Sequence, residues 1–263
     1  MAARPEGAPI WADAMFPDLE AAKNFYGELL GWTFEEGQEE FGNYTQAKSD
    51  GKRVGALSPQ MPGMEDTPPA WNLYLATPDI NATVTRVKEA GGTAMMEPMQ
   101  VGDFGTMVSA QDPSGVFFSV WQPGTHDGFE KAGEPGSFAW AEVTTRDTAK
   151  ADAFFEAVFP YEVKKMVDEN VDFNVWQLDG KPQLGRFKMT DDFPPQVPPY
   201  VNLYFAVDDC DAAVATVTKL GGKLHYGPMD TPFGRFAAVA DQQGAAFSVI
   251  DMSTTEGEMP DLT

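Results

Sequence analysis

The chain has 263 residues and carries 18 Lys+Arg against 40 Asp+Glu, a formal net charge of −22. That balance excludes nucleic acid as a partner, because affinity there rests on Lys and Arg, and it favours a neutral or cationic ligand. The single cysteine, Cys210, excludes an intrachain disulfide, and no apolar run reaches the length of a membrane span.

The first strand signal is Ile10–Phe16, which alternates and then meets Asp18 as an N-cap. Leu19–Leu30 follows at helical spacing and stops at Gly31. Short strand runs come next at Trp32–Phe34, Asn43–Gln46 and Val54–Ser58. Leu73–Thr77 is again a strand, Asp79 caps, Ile80–Ala90 is helical, and Gly91-Gly92 ends it. Thr93–Met96, Thr106–Ala110 and Val116–Trp121 complete the second set of strands.

The second half repeats the first. Trp11-Ala12-Asp13 returns as Trp140-Ala141-Glu142, 129 positions on, and Asn72-Leu73-Tyr74 returns as Asn202-Leu203-Tyr204, 130 positions on. Asp112 returns as Asp241, and Ser119-Val120 as Ser248-Val249, in the same order. A period this long is a duplicated domain. The pattern is βαβββ four times over, an α+β class. The first domain is placed at 1–123, with units at 8–58 and 70–122, and the linker at 124–136. The second domain is placed at 137–252, with units at 137–189 and 199–252, followed by an acidic tail at 253–263 that reads as frayed.

These paired units, the Asp-Leu-Glu-Ala-Ala-Lys-Asn-Phe-Tyr helix start and the Asp-Pro-Ser-Gly turn before a last strand resemble the vicinal oxygen chelate superfamily. That group holds glyoxalase I, extradiol dioxygenases and bleomycin-resistance proteins. The chain is also similar to the two-domain actinobacterial glyoxalase-like subgroup, described as hydroxylases or secreted antigens. The resemblance implies curved mixed sheets around cup-shaped cavities. It also implies metal ligands on the first and last strand of each unit. Those positions fall on Trp11, Asn72 and Ser119, and on Trp140, Asn202 and Ser248. None is His or Glu, and neutral Asn and Ser oxygens normally support carboxylates rather than replace them. No metal and no cofactor is therefore expected.

Strand alternation sets which residues share a face, and the resemblance implies that this face lines each cup. Trp11 and Asp13 share a face, as do Asn72 and Tyr74, and Phe117 and Ser119; Trp140, Glu142, Asn202, Tyr204 and Ser248 repeat the set. Aromatic walls with few polar groups suit a small organic ligand. Asp13 and Glu142 are the candidate acid–base residues, since a carboxylate against Trp in an apolar site is pushed up by desolvation. The competing readings are core packing for the Trp residues, backbone hydrogen bonding for the Asn residues and space filling for the Ser residues. Arg186 stands where the first half has Ala56, and Arg235 where it has Thr106. Either makes the second cup an anion site or pairs internally with an acid such as Glu142.

No G-x-S-x-G elbow, P-loop, G-x-G-x-x-G or C-x-x-C is present. Of two histidines, His126 falls in the linker and His225 outside the ligand positions. The stretch MAARPEGAPIW has no apolar signal-peptide core, so a cytoplasmic protein is expected, as monomer or homodimer. The leading expectation is a metal-independent small-molecule-binding protein. The alternative is a glyoxalase-like lyase, isomerase or hydroxylase acting on a small carbonyl or polyketide-like substrate, with Asn72, Asn202 and Tyr74 as oxyanion donors. A third is an antigenic or structural protein without a dedicated ligand.

Overall fold

The computed structural model describes residues 4–64, 66–168 and 171–263, so the first three residues assigned to the first domain lie outside it. The first unit is β1 (Pro9–Phe16), α1 (Leu19–Leu30), β2 (Thr33–Phe34), β3 (Thr45–Ser49) and β4 (Lys52–Pro59). The second is β5 (Trp71–Ala76), α2 (Ile80–Glu89), β6 (Thr93–Ala94), β7 (Met99–Val101), β8 (Gly105–Gln111) and β9 (Phe117–Pro123). The third is β10 (Phe138–Thr145), α3 (Thr148–Val158), β11 (Glu162–Lys165), β12 (Phe173–Leu178) and β13 (Lys181–Lys188). The fourth is β14 (Tyr200–Ala206), α4 (Cys210–Lys219), β15 (Lys223–Thr231), β16 (Gly234–Ala240) and β17 (Ala246–Asp251). This is an α+β fold with few helices. The strand β7, absent from the sequence reading, pairs with β8.

Among the described residues each of the four α-helices opens on an aspartate. The carboxylates of Asp18, Asp79, Asp147 and Asp209 accept from backbone N–H groups in the first turn of their helices. Each capping bond satisfies a donor the helix itself cannot. Gly31, at φ 68°, closes α1 in the left-handed conformation that glycine adopts without a Cβ penalty.

Units pair side by side within each half, an arrangement the sequence left open. The first sheet runs β2-β3-β4-β1-β5-β9-β8-β6 and the second β11-β12-β13-β10-β14-β17-β16-β15. At the centre of each, two unit-opening strands run antiparallel, β1 with β5 and β10 with β14. On the convex side the helices of the two halves meet, α1 against α4 and α2 against α3. One apolar cluster runs through both. Trp71 packs edge-on to Phe205 at 4.9 Å, and Phe118 meets Phe154 at 5.9 Å. Tyr26 hydroxyl donates to Asp241 Oδ2 at 2.8 Å and accepts from Trp71 Nε1 at 3.0 Å, so a polar link is fully paired inside that core. With the convex faces buried against each other, the two concave faces point away from the shared core.

Candidate functional site

The concave face of the first sheet carries a single connected polar network. The register sets Asp13 opposite Asn72, Trp11 opposite Tyr74, and Tyr74 beside Ser119. Asp13 Oδ2 accepts from Tyr74 hydroxyl at 2.8 Å and from Tyr44 hydroxyl at 3.0 Å, while Oδ1 accepts from Asn72 Nδ2 at 3.3 Å. Trp11 Nε1 donates to Tyr44 hydroxyl at 2.7 Å, and Ser119 hydroxyl donates to Asn72 Oδ1 at 3.1 Å. Burial pushes the Asp13 carboxyl up to about 6, against the lowering pull of its three donors. Burial also raises the Tyr44 and Tyr74 phenols well above their ordinary range, and the Asp13 charge raises them further.

The second cup has the same frame and fewer donors. Glu142 lies opposite Asn202, Trp140 opposite Tyr204, and Tyr204 beside Ser248. Glu142 Oε2 accepts from Tyr204 hydroxyl at 3.1 Å, and after Tyr204 the neighbouring Trp140 indole also pulls the carboxyl down. Asn202 Nδ2 turns instead to Ser248 hydroxyl at 3.0 Å. The missing donor is traceable to one residue. Leu57 and Arg186 occupy equivalent register positions opposite Ala14 and Val143, and the strands beside them bring Tyr44 and Phe173 into equivalence. Phe173 has the ring of Tyr44 without its hydroxyl. It packs with Met166 and Val175, and Trp140 and Phe187 close on that cluster. A Cβ at Gly185 would collide with the Phe173 ring and sit 2.9 Å from Glu142 Cγ, so glycine is what lets the acid and the ring approach. Burial raises the Glu142 carboxyl to about 7. Burial, followed by the Glu142 charge, raises the Tyr200 phenol to about 12.

Two expected ligand residues lie elsewhere. Arg186 is opposite Val143 and faces the helices. Its Nε bonds Asp152 at 3.0 Å and its Nη1 bonds Asp172 at 2.7 Å. Arg235 is opposite Asp251, on the same convex side, and pairs with Asp211 at 3.0 Å and Asp230 at 2.8 Å. Both are internal ion pairs, with partners other than Glu142, and neither makes the second cup an anion site. Phe117 lies at the start of β9 with 54 % of its surface exposed, at the rim rather than the wall. Cys210 is buried at the head of α4, its thiol raised to about 11 first by burial and then by Asp211, which suits an inert role.

His126 belongs to the first cup although the sequence pattern marks its segment as a linker. Residues 124–136 fold onto that cup, where the His126 ring meets Trp11 edge-on at 4.5 Å and Trp121 at 5.8 Å. His126 Nδ1 faces Arg53 Nη1 at 3.1 Å. A guanidinium only donates, so Nδ1 accepts and Nε2 carries the proton. Burial, then the Arg53 charge, lowers this histidine to about 4 and keeps it neutral. The signal available in the sequence was Phe129, a large apolar residue in a supposed loop, which is buried against Trp11 at 5.4 Å.

The donor set does not fit a divalent cation. Each cup offers one carboxylate, one amide and hydroxyls, and these are bonded to one another. Among the described residues no group of three or more His, Cys, Asp or Glu is arranged to hold a metal ion. A hard cation is held by several charged oxygens, and the ligand field of a transition metal by imidazole or thiolate. No helix among the described residues is long and apolar enough to cross a membrane.

Residues 11–120 and 137–249 each match the profile of the family described as Glyoxalase/Bleomycin resistance protein/Dioxygenase superfamily. The chain is 37% identical over 259 residues to the anthracycline biosynthesis protein DauV of Streptomyces sp. (strain C5), covering 94% of each. It is 36% identical over 259 residues to DnrV of Streptomyces peucetius, also described as an anthracycline biosynthesis protein, with 94% of each covered. Among solved structures, the Mn(II)-bound glyoxalase from Novosphingobium aromaticivorans superposes with a TM-score of 0.66 at 16% identity, over 97% of this chain and 87% of that one. The 2,3-dioxygenase LapB from Pseudomonas sp. KL28 gives 0.67 at 14% identity, over 98% and 95%. Identities that low speak for the shared fold alone.

Proposed function

The chain belongs to the Glyoxalase/Bleomycin resistance protein/Dioxygenase superfamily, and on that premise we propose that it binds a small, uncharged, aromatic organic molecule without a metal. One observation carries this reading. A lone carboxylate raised to about 7 sits among Trp140, Tyr204 and Phe173, beside the positions of Trp140, Asn202 and Ser248 that the resemblance would give to metal ligands. Flat aromatic walls give stacking area, and a half-protonated acid both donates to a carbonyl and accepts from a phenol. Relatives described as anthracycline biosynthesis proteins support a planar polyketide as the ligand class. The net charge of −22 works against an anionic ligand. A thermal-shift titration with 1,8-dihydroxyanthraquinone at pH 6.5 tests this. Stabilisation by the probe that shrinks in Glu142→Gln and survives in Asp13→Asn supports the reading; no shift at any soluble concentration counts against it.

A second reading is favoured by the same acid. A carboxyl near neutrality is matched to proton transfer at physiological pH. Glu142 would then act as general base on an acidic C–H or O–H of the bound molecule, with the Tyr204 phenol as the neighbouring donor. Turnover of the probe's hydroxyketone analogues, lost in Glu142→Gln while binding persists, separates a catalyst from a binding protein.

A further inference from the structure

The two cups are closed by different pieces of chain. After β9 the first cup is covered by a segment anchored through buried side chains, His126, Phe129 and Lys131, with Phe129 N bonded to Ile10 O at 2.9 Å. After β17 the chain does something else. Glu256 N donates to Thr231 O, at the end of β15, at 3.0 Å. Val167 N then donates to Asp261 O at 2.9 Å, and Lys165 and Thr263 exchange bonds of 2.9 and 3.0 Å, which extends the sheet beyond β11.

β11 and β15 are opposite edges of the eight-stranded sheet. Laid flat, those edges would stand about 34 Å apart at about 4.8 Å per strand. The five-residue span from Glu256 to Asp261 reaches at most about 18 Å, which falls short even with one strand spacing added at each end. The sheet is therefore curled, and its edges approach across the open seam of the cup. The convex side is filled by helices and the other half of the chain, so the tail crosses on the concave side. Its bridge partner, Met166, is buried and packs on Phe173 and Val175 in the cup wall.

We propose that residues 256–263 are a strap that gates the second cup, opening by release of its end from β11. This rests on the ligand reading only for what passes beneath it. The strap is held chiefly by edge backbone bonds. Met259 is 65% exposed and Leu262 39% exposed, in contrast to the buried anchors over the first cup. A segment with exposed hydrogen bonds and little buried surface opens at low cost. The first cup, with Asp13 saturated by three donors and its cover pinned, has no such gate.

Trp140 provides a readout that needs no ligand. It is partly exposed while Trp11, Trp32, Trp71, Trp121 and Trp176 are buried. Two variants bracket the strap in the full-length fold. One ends at Thr255. The other carries Met166→Cys with Leu262→Cys, facing positions of the antiparallel bridge, where paired residues approach closely enough for a disulfide. Acrylamide quenching of Trp140 is expected to rise about twofold on truncation, and to fall in the oxidised double variant relative to its reduced form. Association and dissociation of 1,8-dihydroxyanthraquinone are expected to slow together in the oxidised form. Quenching that is the same in all forms overturns the strap. Quenching that responds while the probe never binds leaves the strap standing and overturns the ligand reading.

Discussion

Replacing Glu142 by Gln should stabilise the protein, and only at high pH. In the folded chain the acid is raised to about 7 from an ordinary 4.5. The folded state therefore keeps a proton that the unfolded state releases. Stability is full below about pH 4.5, falls as pH rises, and levels off above about pH 7. At about 1.4 kcal/mol per pKa unit the gap corresponds to about 3 kcal/mol, and because Glu142 keeps some exposed surface about 2 kcal/mol is expected. Gln keeps the shape of the protonated acid and accepts from Tyr204, without the buried charge. Denaturant midpoints and calorimetry at pH 5 and pH 8.5 make the measurement. The variant should match the native chain within about 1 kcal/mol at pH 5 and exceed it by about 2 kcal/mol at pH 8.5, a rise of roughly 4–8 °C in melting temperature. Equal destabilisation at both pH values would refute the claim that Glu142 sits desolvated and underbonded. A positive result would identify Glu142 as a group held at a cost to stability, as ligand and catalytic sites often are.

Three further outcomes follow from named contacts. Phe173→Tyr restores to the second cup the hydroxyl that Tyr44 gives the first; a hydrogen bond to a charged group is worth about 1.5 kcal/mol, so the Glu142 carboxyl should fall by about one pKa unit in a carbon-13 titration. Arg186→Met removes one partner from Asp152 and Asp172, which stay partly exposed and keep Asn174 and Lys188, and should cost about 1 kcal/mol in denaturant unfolding. Probe affinity per folded chain should stay unchanged, because Arg186 faces the helices rather than the cup. Tyr26→Phe removes a buried link between the two halves, leaves Asp241 short of a donor, and should lower stability by about 1–3 kcal/mol in a single shared transition; two separated transitions would contradict a common core.

Much of this architecture was visible in the residues. Alternation in Ile10–Phe16 put Trp11 and Asp13 on one face, and the paired aspartate caps and glycine stops marked the helices. The aromatic residues and the carboxylates that alternation puts on one face, the face the resemblance makes the cavity, are adjacent in space. Arg186 was misplaced for a specific reason. The offset between repeats varies between 129 and 130 residues, and a slip of one position in a strand moves a side chain to the opposite face. Matched to Ala56 it would face the cup; the sheet aligns it with Leu57, toward the helices. His126 was hidden because glycines at 124, 128, 133 and 136 punctuate its segment as a linker, while its burial depends on contacts with Trp11 and Trp121 far away in sequence. The tail looked frayed because its side chains are polar. What holds it is backbone pairing to a free sheet edge, which side-chain pattern does not encode. Nor does pattern disclose that Phe173 replaces Tyr44, since both satisfy the same apolar requirement and differ only in one hydroxyl.

The proposal that stands or falls first is that an aromatic cup around a lone carboxylate binds its ligand without a metal. The most direct measurement is a binding isotherm for 1,8-dihydroxyanthraquinone on chelator-treated protein, with the metal content of the same sample determined by mass spectrometry. Saturable binding at one site per chain is expected, unaltered by chelation or by added Mn(II), and weakened by Glu142→Gln. Binding that vanishes with the metal and returns when it is added back would contradict it.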